Sequence, residues 1–130
     1  QCADLQDADL QGVDLQDADL QDTDLRGAYL RGAYLLGVHL QNADLQYADL
    51  QYVHLQGANL QYVHLQGANL WRAHLQNADL QYADLRRAYL RRAELQHTNL
   101  LAARYDRSTV FPEGFDPAAS DMVLVEPQGK

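Results

Sequence analysis

Leucine stands at every fifth position from Leu5 to Leu100, twenty times in succession. Two residues ahead of each Leu is a small side chain: Ala in fourteen repeats, Val at Val13, Val38, Val53 and Val63, and Thr at Thr23 and Thr98. The positions between are polar and are expected to face solvent or form corners. The residue before Leu is Asp nine times, Asn three, His four, Tyr three and Glu once, and the residue after it is Gln thirteen times. The next position is often Gly, Asp or Tyr. A period of five suits neither regular element. On an α-helix, successive leucines would turn by about 140° and scatter around the axis. On a continuous strand, an odd step would send alternate leucines to opposite faces. The pattern fits a short extended piece, on which the small residue and the Leu point the same way, followed by a two-residue corner that resets the orientation. Gly, Asn and Asp supply the backbone angles such corners prefer. The chain is therefore expected to coil with its leucines inward.

The unit, as in Ala43-Asp44-Leu45-Gln46-Tyr47, resembles the A(D/N)LXX motif of the pentapeptide-repeat family, and the match runs over roughly residues 3 to 102. What the resemblance implies is an all-β fold: a right-handed quadrilateral β-helix with four pentapeptides per coil. That would be about five coils, about 24 Å of solenoid at ~4.8 Å per coil. Four-sidedness rests on the resemblance alone. The clearest self-copies fall at other lags, QYVHLQGANL at 51–60 and 61–70 and QNADLQYADL at 41–50 and 76–85. With four repeats per coil, residues twenty apart stack, and Leu5, Leu25, Leu45, Leu65 and Leu85 form one row of the structural core.

The pattern breaks after Leu100. Ala103-Arg104-Tyr105 reads as a last, degenerate repeat with Tyr in the Leu place, so the solenoid is expected over 1–105 and a C-terminal cap and tail over 106–130. An open solenoid end exposes core and unpaired edges that need covering. Phe111 and Phe115 suit that purpose. Asp116 followed by Pro117 predicts a short helical turn at 117–121, and 122–130 reads as a loose tail. The segment YDxxTxFPxGFDP resembles the tail of many cyanobacterial members of the family. The N-terminal end shows no comparable cap; it is expected either to have lost an upstream segment or to meet something.

Composition narrows the classes of function. The 130 residues carry a net charge of −8, which speaks against nonspecific nucleic-acid binding. No apolar run reaches the ~20 residues of a membrane span. Cys2 is the single cysteine, so no intramolecular disulfide forms and the redox compartment stays open. No signal peptide is visible and no initiator Met is present. The chain reads as processed or excised, and cytoplasm, periplasm and thylakoid lumen all remain open.

Charge is uneven along the chain. Residues 1–25 hold eight Asp and no basic residue, and on a four-sided coil Asp4, Asp9, Asp14 and Asp19 would face the four sides. Residues 26–100 carry seven basic and five acidic groups, with Arg86, Arg87, Arg91 and Arg92 together on the last coil and Arg72 beneath Arg92. Acidic end against basic end predicts weak end-to-end self-association that salt weakens. Tyr62 and Tyr82 would stack, with Tyr47 and Tyr52 on neighbouring corners and Trp71 nearby, as on a contact surface. Gln21, Gln41, Gln61 and Gln81 would form a structural amide ladder.

His54, His74 and Glu94 would share a column, but in a line on a convex wall rather than converging on a metal. The Asp-rich coil lacks the loop that gathers six to eight oxygens around calcium. No catalytic triad, phosphate loop or CxxC motif is present. The expectation is thus no enzyme, no cofactor and no metal, but a structural or protein-binding solenoid with an unidentified protein partner, no nucleic acid and no membrane. The candidate partner surface comprises the Asp, Arg, Tyr and Trp positions just named. Two alternatives follow. Resemblance to a branch of the family that mimics DNA implies an inhibitor or protector of DNA gyrase, and the acidic coil would make a cation-binding solenoid.

Overall fold

A computed structural model describes residues 3–127. Each residue preceding a Leu forms a parallel bridge with the residue twenty further on, from Asp4↔Asp24 through Asp84↔Arg104. Twenty residues thus make one turn of the chain, and four pentapeptides make its four sides. The turns run over 3–22, 23–42, 43–62, 63–82 and 83–102. One repeat shows how it closes. Leu25 N–H donates to Asp44 O at 2.7 Å, and Asp44 N–H donates back to Thr23 O at 3.0 Å. Each side is only one bridge wide, too short to form a regular strand.

Corners explain the period of five. Ala48 N–H donates to Leu45 O at 3.1 Å across Gln46-Tyr47, and Tyr47 has φ +62°. A positive φ at the third turn position but not the second is the type II pattern. Every corner repeats it, with φ between +58° at Arg72 and +71° at Gly67. Gly meets this without cost. Tyr, Arg and His occupy it too, at a cost of roughly 1–2 kcal/mol each. The ladder offsets that cost, since the corner N–H of Tyr47 also donates to Gln66 O at 3.0 Å.

A second local bond accounts for the preference for Asp or Asn before Leu. Gln46 N–H donates to Asp44 Oδ1 at 3.2 Å. The same side-chain-to-backbone bond forms at each of the nine Asp and three Asn in this position. Such residues satisfy a corner N–H two places on, as in an Asx-turn. The acidic positions are therefore parts of the turn as well as surface charge.

The interior is a continuous cluster of Leu and small residues from Leu25 to Ala103. Leu25, Leu45, Leu65 and Leu85 are at most 1 % exposed. Leu5, on the same row, is only partly buried, as are Leu10, Leu15 and Leu20. Covering by a turn on each side makes a core position.

Two sequence expectations need correcting. Residues 122–127 are not wholly a loose tail. Strand β1 (Arg104–Tyr105) pairs in parallel with β2 (Val123–Leu124), Arg104 opposite Val123, which extends one side of the ladder. The last residues, 128–130, and Gln1 and Cys2 lie outside the described chain. Asp84 is also not solvent-facing: it is 6 % exposed, between Arg86 and Arg104. Between β1 and β2, a 3-10 turn at Ala118–Ser120 follows Pro117, and Ala118 N–H donates to Asp116 Oδ1 at 3.0 Å. Phe111 and Phe115 stack at 5.1 Å and pack against the buried cluster, and Tyr105 meets Phe111 edge-on at 5.5 Å.

Candidate binding surfaces

Chemically varied side chains lie on the outer wall, while the interior repeats Leu with small residues. Asp4, Asp9, Asp14 and Asp19 stand exposed on the four sides of the first turn. Each accepts a bond from a Gln N–H at the following corner, at 3.2 or 3.3 Å. The structure spreads them around the turn rather than bringing them together. In the second turn, Arg26 bonds Asp24 at 2.6 Å and approaches Asp44 at 3.8 Å, and those hydrogen bonds hold the Asp24 carboxyl below its ordinary value.

The arginines divide into two groups. Arg86 is committed to Asp84 at 2.6 Å, and Arg104 reaches the same carboxylate at 3.4 Å. Burial pushes the Asp84 carboxyl up, but the Arg86 hydrogen bonds and the nearby Arg86 and Arg104 charges outweigh it and leave the group below its ordinary value. Arg87 donates to Tyr47 Oη at 3.3 Å. Arg72, Arg91 and Arg92, by contrast, have no carboxylate within ion-pair distance among the described residues. Arg72 lies over the Trp71 ring at 5.1 Å, a cation–π contact. Arg91 and Arg92 line an open hollow of about 630 Å³ together with Phe111, Pro112 and Glu113.

Aromatic residues stack along the ladder. Tyr62 and Tyr82 lie parallel at 5.0 Å, and Tyr52 meets Trp71 edge-on at 5.2 Å. On a different column, Tyr34, His54 and His74 form a continuous stack at 4.7 and 4.8 Å. Burial, and then the charge of His74, lower the affinity of His54 for a proton. His74 Nδ1 lies 3.5 Å from Glu94, which also accepts a bond from Gln76. Among the described residues, no group of three or more His, Cys, Asp or Glu is placed to hold a metal ion. No helix among them is long and apolar enough to cross a membrane.

Three features escaped sequence reasoning. The Tyr47 ring lies over Gly67, so close that a Cβ there would meet it at 2.5 Å, and spans one turn to reach Arg87. A Gly twenty residues after an aromatic corner is the signal that could have shown it. Asp84 is buried between Arg86, at its own corner, and Arg104, twenty residues on. At Gly12 and Gly32, stacked on one corner, a Cβ would meet nothing within 4 Å, so that corner is bare.

A parallel ladder with a twenty-residue turn, a Leu-filled interior and type II corners defines a four-sided β-solenoid. Pentapeptide repeats match from residue 3 to residue 103 in overlapping segments, and the chain belongs to the pentapeptide-repeat family, whose structures are right-handed quadrilateral β-helices. A pentapeptide repeat protein from the cyanobacterium Cyanothece 51142 is 31% identical, with 79% of this chain and 87% of that one covered and a TM-score of 0.72. A pentapeptide repeat protein of the Arabidopsis thaliana thylakoid lumen is 28% identical over 81% of this chain and 66% of that one, with a TM-score of 0.60. HetL of Nostoc sp. strain PCC 7120, a pentapeptide repeat protein involved in heterocyst differentiation regulation, is 29% identical over 78% of this chain and 49% of that one, with a TM-score of 0.57. No curated protein sequence matches the chain. Members of this family are generally structural, non-enzymatic solenoids.

Proposed function

We propose that the chain is a non-catalytic, protein-binding solenoid of five turns over 1–105, covered at its C-terminal end by 106–130. One observation carries this reading: the interior from Leu25 to Ala103 is packed with Leu and small side chains, while charged and aromatic variety is confined to the outer wall. The packed interior leaves no room for a substrate inside the rod, and the hollow beside Arg91 and Arg92 lies on the outer wall at the cap. Phe111, Phe115 and Met122 against the last turn support the cap. Trp71, Arg72, Arg91, Arg92, Tyr62 and Tyr82 offer the aromatic and Arg anchors that protein interfaces favour. The test is capture from the source organism by immobilised protein. A partner retained by wild type and lost with Trp71→Ala plus Arg72→Glu, while circular dichroism is unchanged, supports the reading. A set of captured proteins that these substitutions leave unaltered counts against it.

The DNA-mimic reading has the net charge of −8 in its favour. Mimicry of DNA needs that charge repeated along the rod, and eight of the carboxylates fall in residues 1–25. A gyrase supercoiling assay without inhibition at high micromolar protein removes it. The cation-binding reading is weakened by the engagement of Asp4, Asp9, Asp14 and Asp19 in their own corners.

A further inference from the structure

We propose that one corner edge of the solenoid is a self-complementary dimer interface, which pairs two copies side by side and antiparallel. The proposal gives the protein-binding reading a first partner, a second copy of this chain. The edge is the corner that carries Gln11-Gly12, Arg31-Gly32, Gln51-Tyr52, Trp71-Arg72 and Arg91-Arg92 in successive turns. Its two halves are opposite in shape and charge. The corner is bare at Gly12 and Gly32 in the first two turns; Asp9 and Asp14, which no cation meets among the described residues, flank it in the first, and Tyr29 and Tyr34 in the second. In the last two turns it carries half-buried Trp71 beneath exposed Arg72, then exposed Arg91 and Arg92, the three arginines lacking carboxylate partners among the described residues. Tyr52 stands midway, exposed.

A twofold axis across the rod at Tyr52 sets the first turn of one copy against the last turn of the other, twice over. Such an interface is isologous and closes at two copies. Asp9 then faces Arg91 and Asp14 faces Arg92, and the two symmetry-related sets of pairs stand four rises apart along the rod, about 19 Å at ~4.8 Å each. Trp71 and Arg72 of one copy lie against Arg31 and Gly32 of the other, where the missing side chain of Gly32 leaves room for the guanidinium, and the two Tyr52 rings meet at the axis. Other charges at the edge are engaged elsewhere. Arg31 is held by Asp49 at 3.4 Å, and Glu94 by Gln76 and His74. Exposed ion pairs are individually weak and salt-sensitive, so the complex is one that forms at low salt and loosens at high salt.

The experiment is sedimentation of the full chain at low and high salt, with charge-swapped variants. Arg91→Glu/Arg92→Glu and Asp9→Arg/Asp14→Arg should each weaken self-association about tenfold or more, since each sets like charges opposite one another. Mixed together, the two variants should recover a dimer, because all the facing pairs are again of opposite sign. Gly32→Arg should block pairing without unfolding, because Arg72, Arg87 and Arg92 already adopt that corner conformation. In a Cys2→Ser background, Tyr52→Cys should form a covalent dimer on oxidation and Tyr62→Cys, half a turn away, should not. Any of three results overturns the proposal: a monomer at low salt up to about 1 mM, an affinity weaker than interfaces of interest; species that grow without limit, as the end-to-end arrangement would; or equal cross-linking at 52 and 62. Failure here leaves capture of a different protein unaffected, so the two readings fall separately.

Discussion

The turn at 3–22 and the turn at 63–82 are written in the same five-letter code, yet they are different physical objects. Both carry Leu at every fifth place and small residues two before, and both close corners with positive φ. In the later turn the leucines are at most 1 % exposed; in the first, Leu5, Leu10, Leu15 and Leu20 are only partly buried. The repeat therefore encodes the path of the chain, while burial comes from stacking one turn on the next. Stability in such an array is a property of neighbours more than of units.

Cutting the same side chain from both turns gives the largest contrast. Leu65→Ala should cost about 2–5 kcal/mol and Leu5→Ala less than about 1 kcal/mol, because only the first leaves a closed cavity. Urea denaturation measures both, and equal costs would contradict the neighbour account. The Asp positions sharpen it next. Asp84→Ala and Asp9→Ala each remove one acceptor from a corner N–H. Asp84 is buried and serves two arginines as well, so its loss should cost roughly 1–3 kcal/mol against a few tenths for Asp9. The lowered Asp84 carboxyl also fixes a sign. Its stabilising contribution is complete above the unfolded carboxylate value of about 3.9 and disappears as pH falls through the lower folded value. Acid titrations of stability should therefore flatten below pH ~4 in Asp84→Asn.

Outward corners should respond in the opposite direction. Arg92→Gly removes an exposed side chain from φ +62°, and should raise stability by about 0.5–1 kcal/mol. An unchanged or lowered midpoint would mean that the arginine stem packs on the wall. The smallest effect concerns His54, where burial and His74 disfavour the proton. Its penalty is absent well above the unfolded value of about 6.5 and grows as pH falls through it toward the lower folded value. Wild type should lose slightly more stability between pH 7 and 5 than His54→Asn.

Much of the architecture was legible because a period of five admits few geometries. The inward Leu, the corner residues and the stacked Tyr62–Tyr82 pair follow from the repeat once twenty residues make a turn. Four repeats per turn could not be read from the self-copies, because their lags of ten and thirty-five record how segments were copied, not how they pack. Nor was the burial of Asp84 read, since two arginines, Arg86 and Arg104, converge on it while the other Asp residues before Leu stay half-buried or exposed. Val123–Leu124 was missed because two residues pairing with a distant side leave no periodic trace. The candidate surface was legible residue by residue. Which members share an edge depends on the corner register.

That register gives copying events a direction as well as a length. A segment of twenty residues inserted into the rod would lengthen it and leave every later side chain on its old face. The decapeptide at 51–60, repeated at 61–70, is half that length. It sends Tyr62 and His64 to the side opposite Tyr52 and His54, and rotates everything after it by the same half revolution. The copy at 76–85 of the segment at 41–50 lies seven pentapeptides on, a quarter revolution short of two full turns. A genetic lineage of such rods can thus place familiar residues on a fresh face in one step, without altering a single interior contact type.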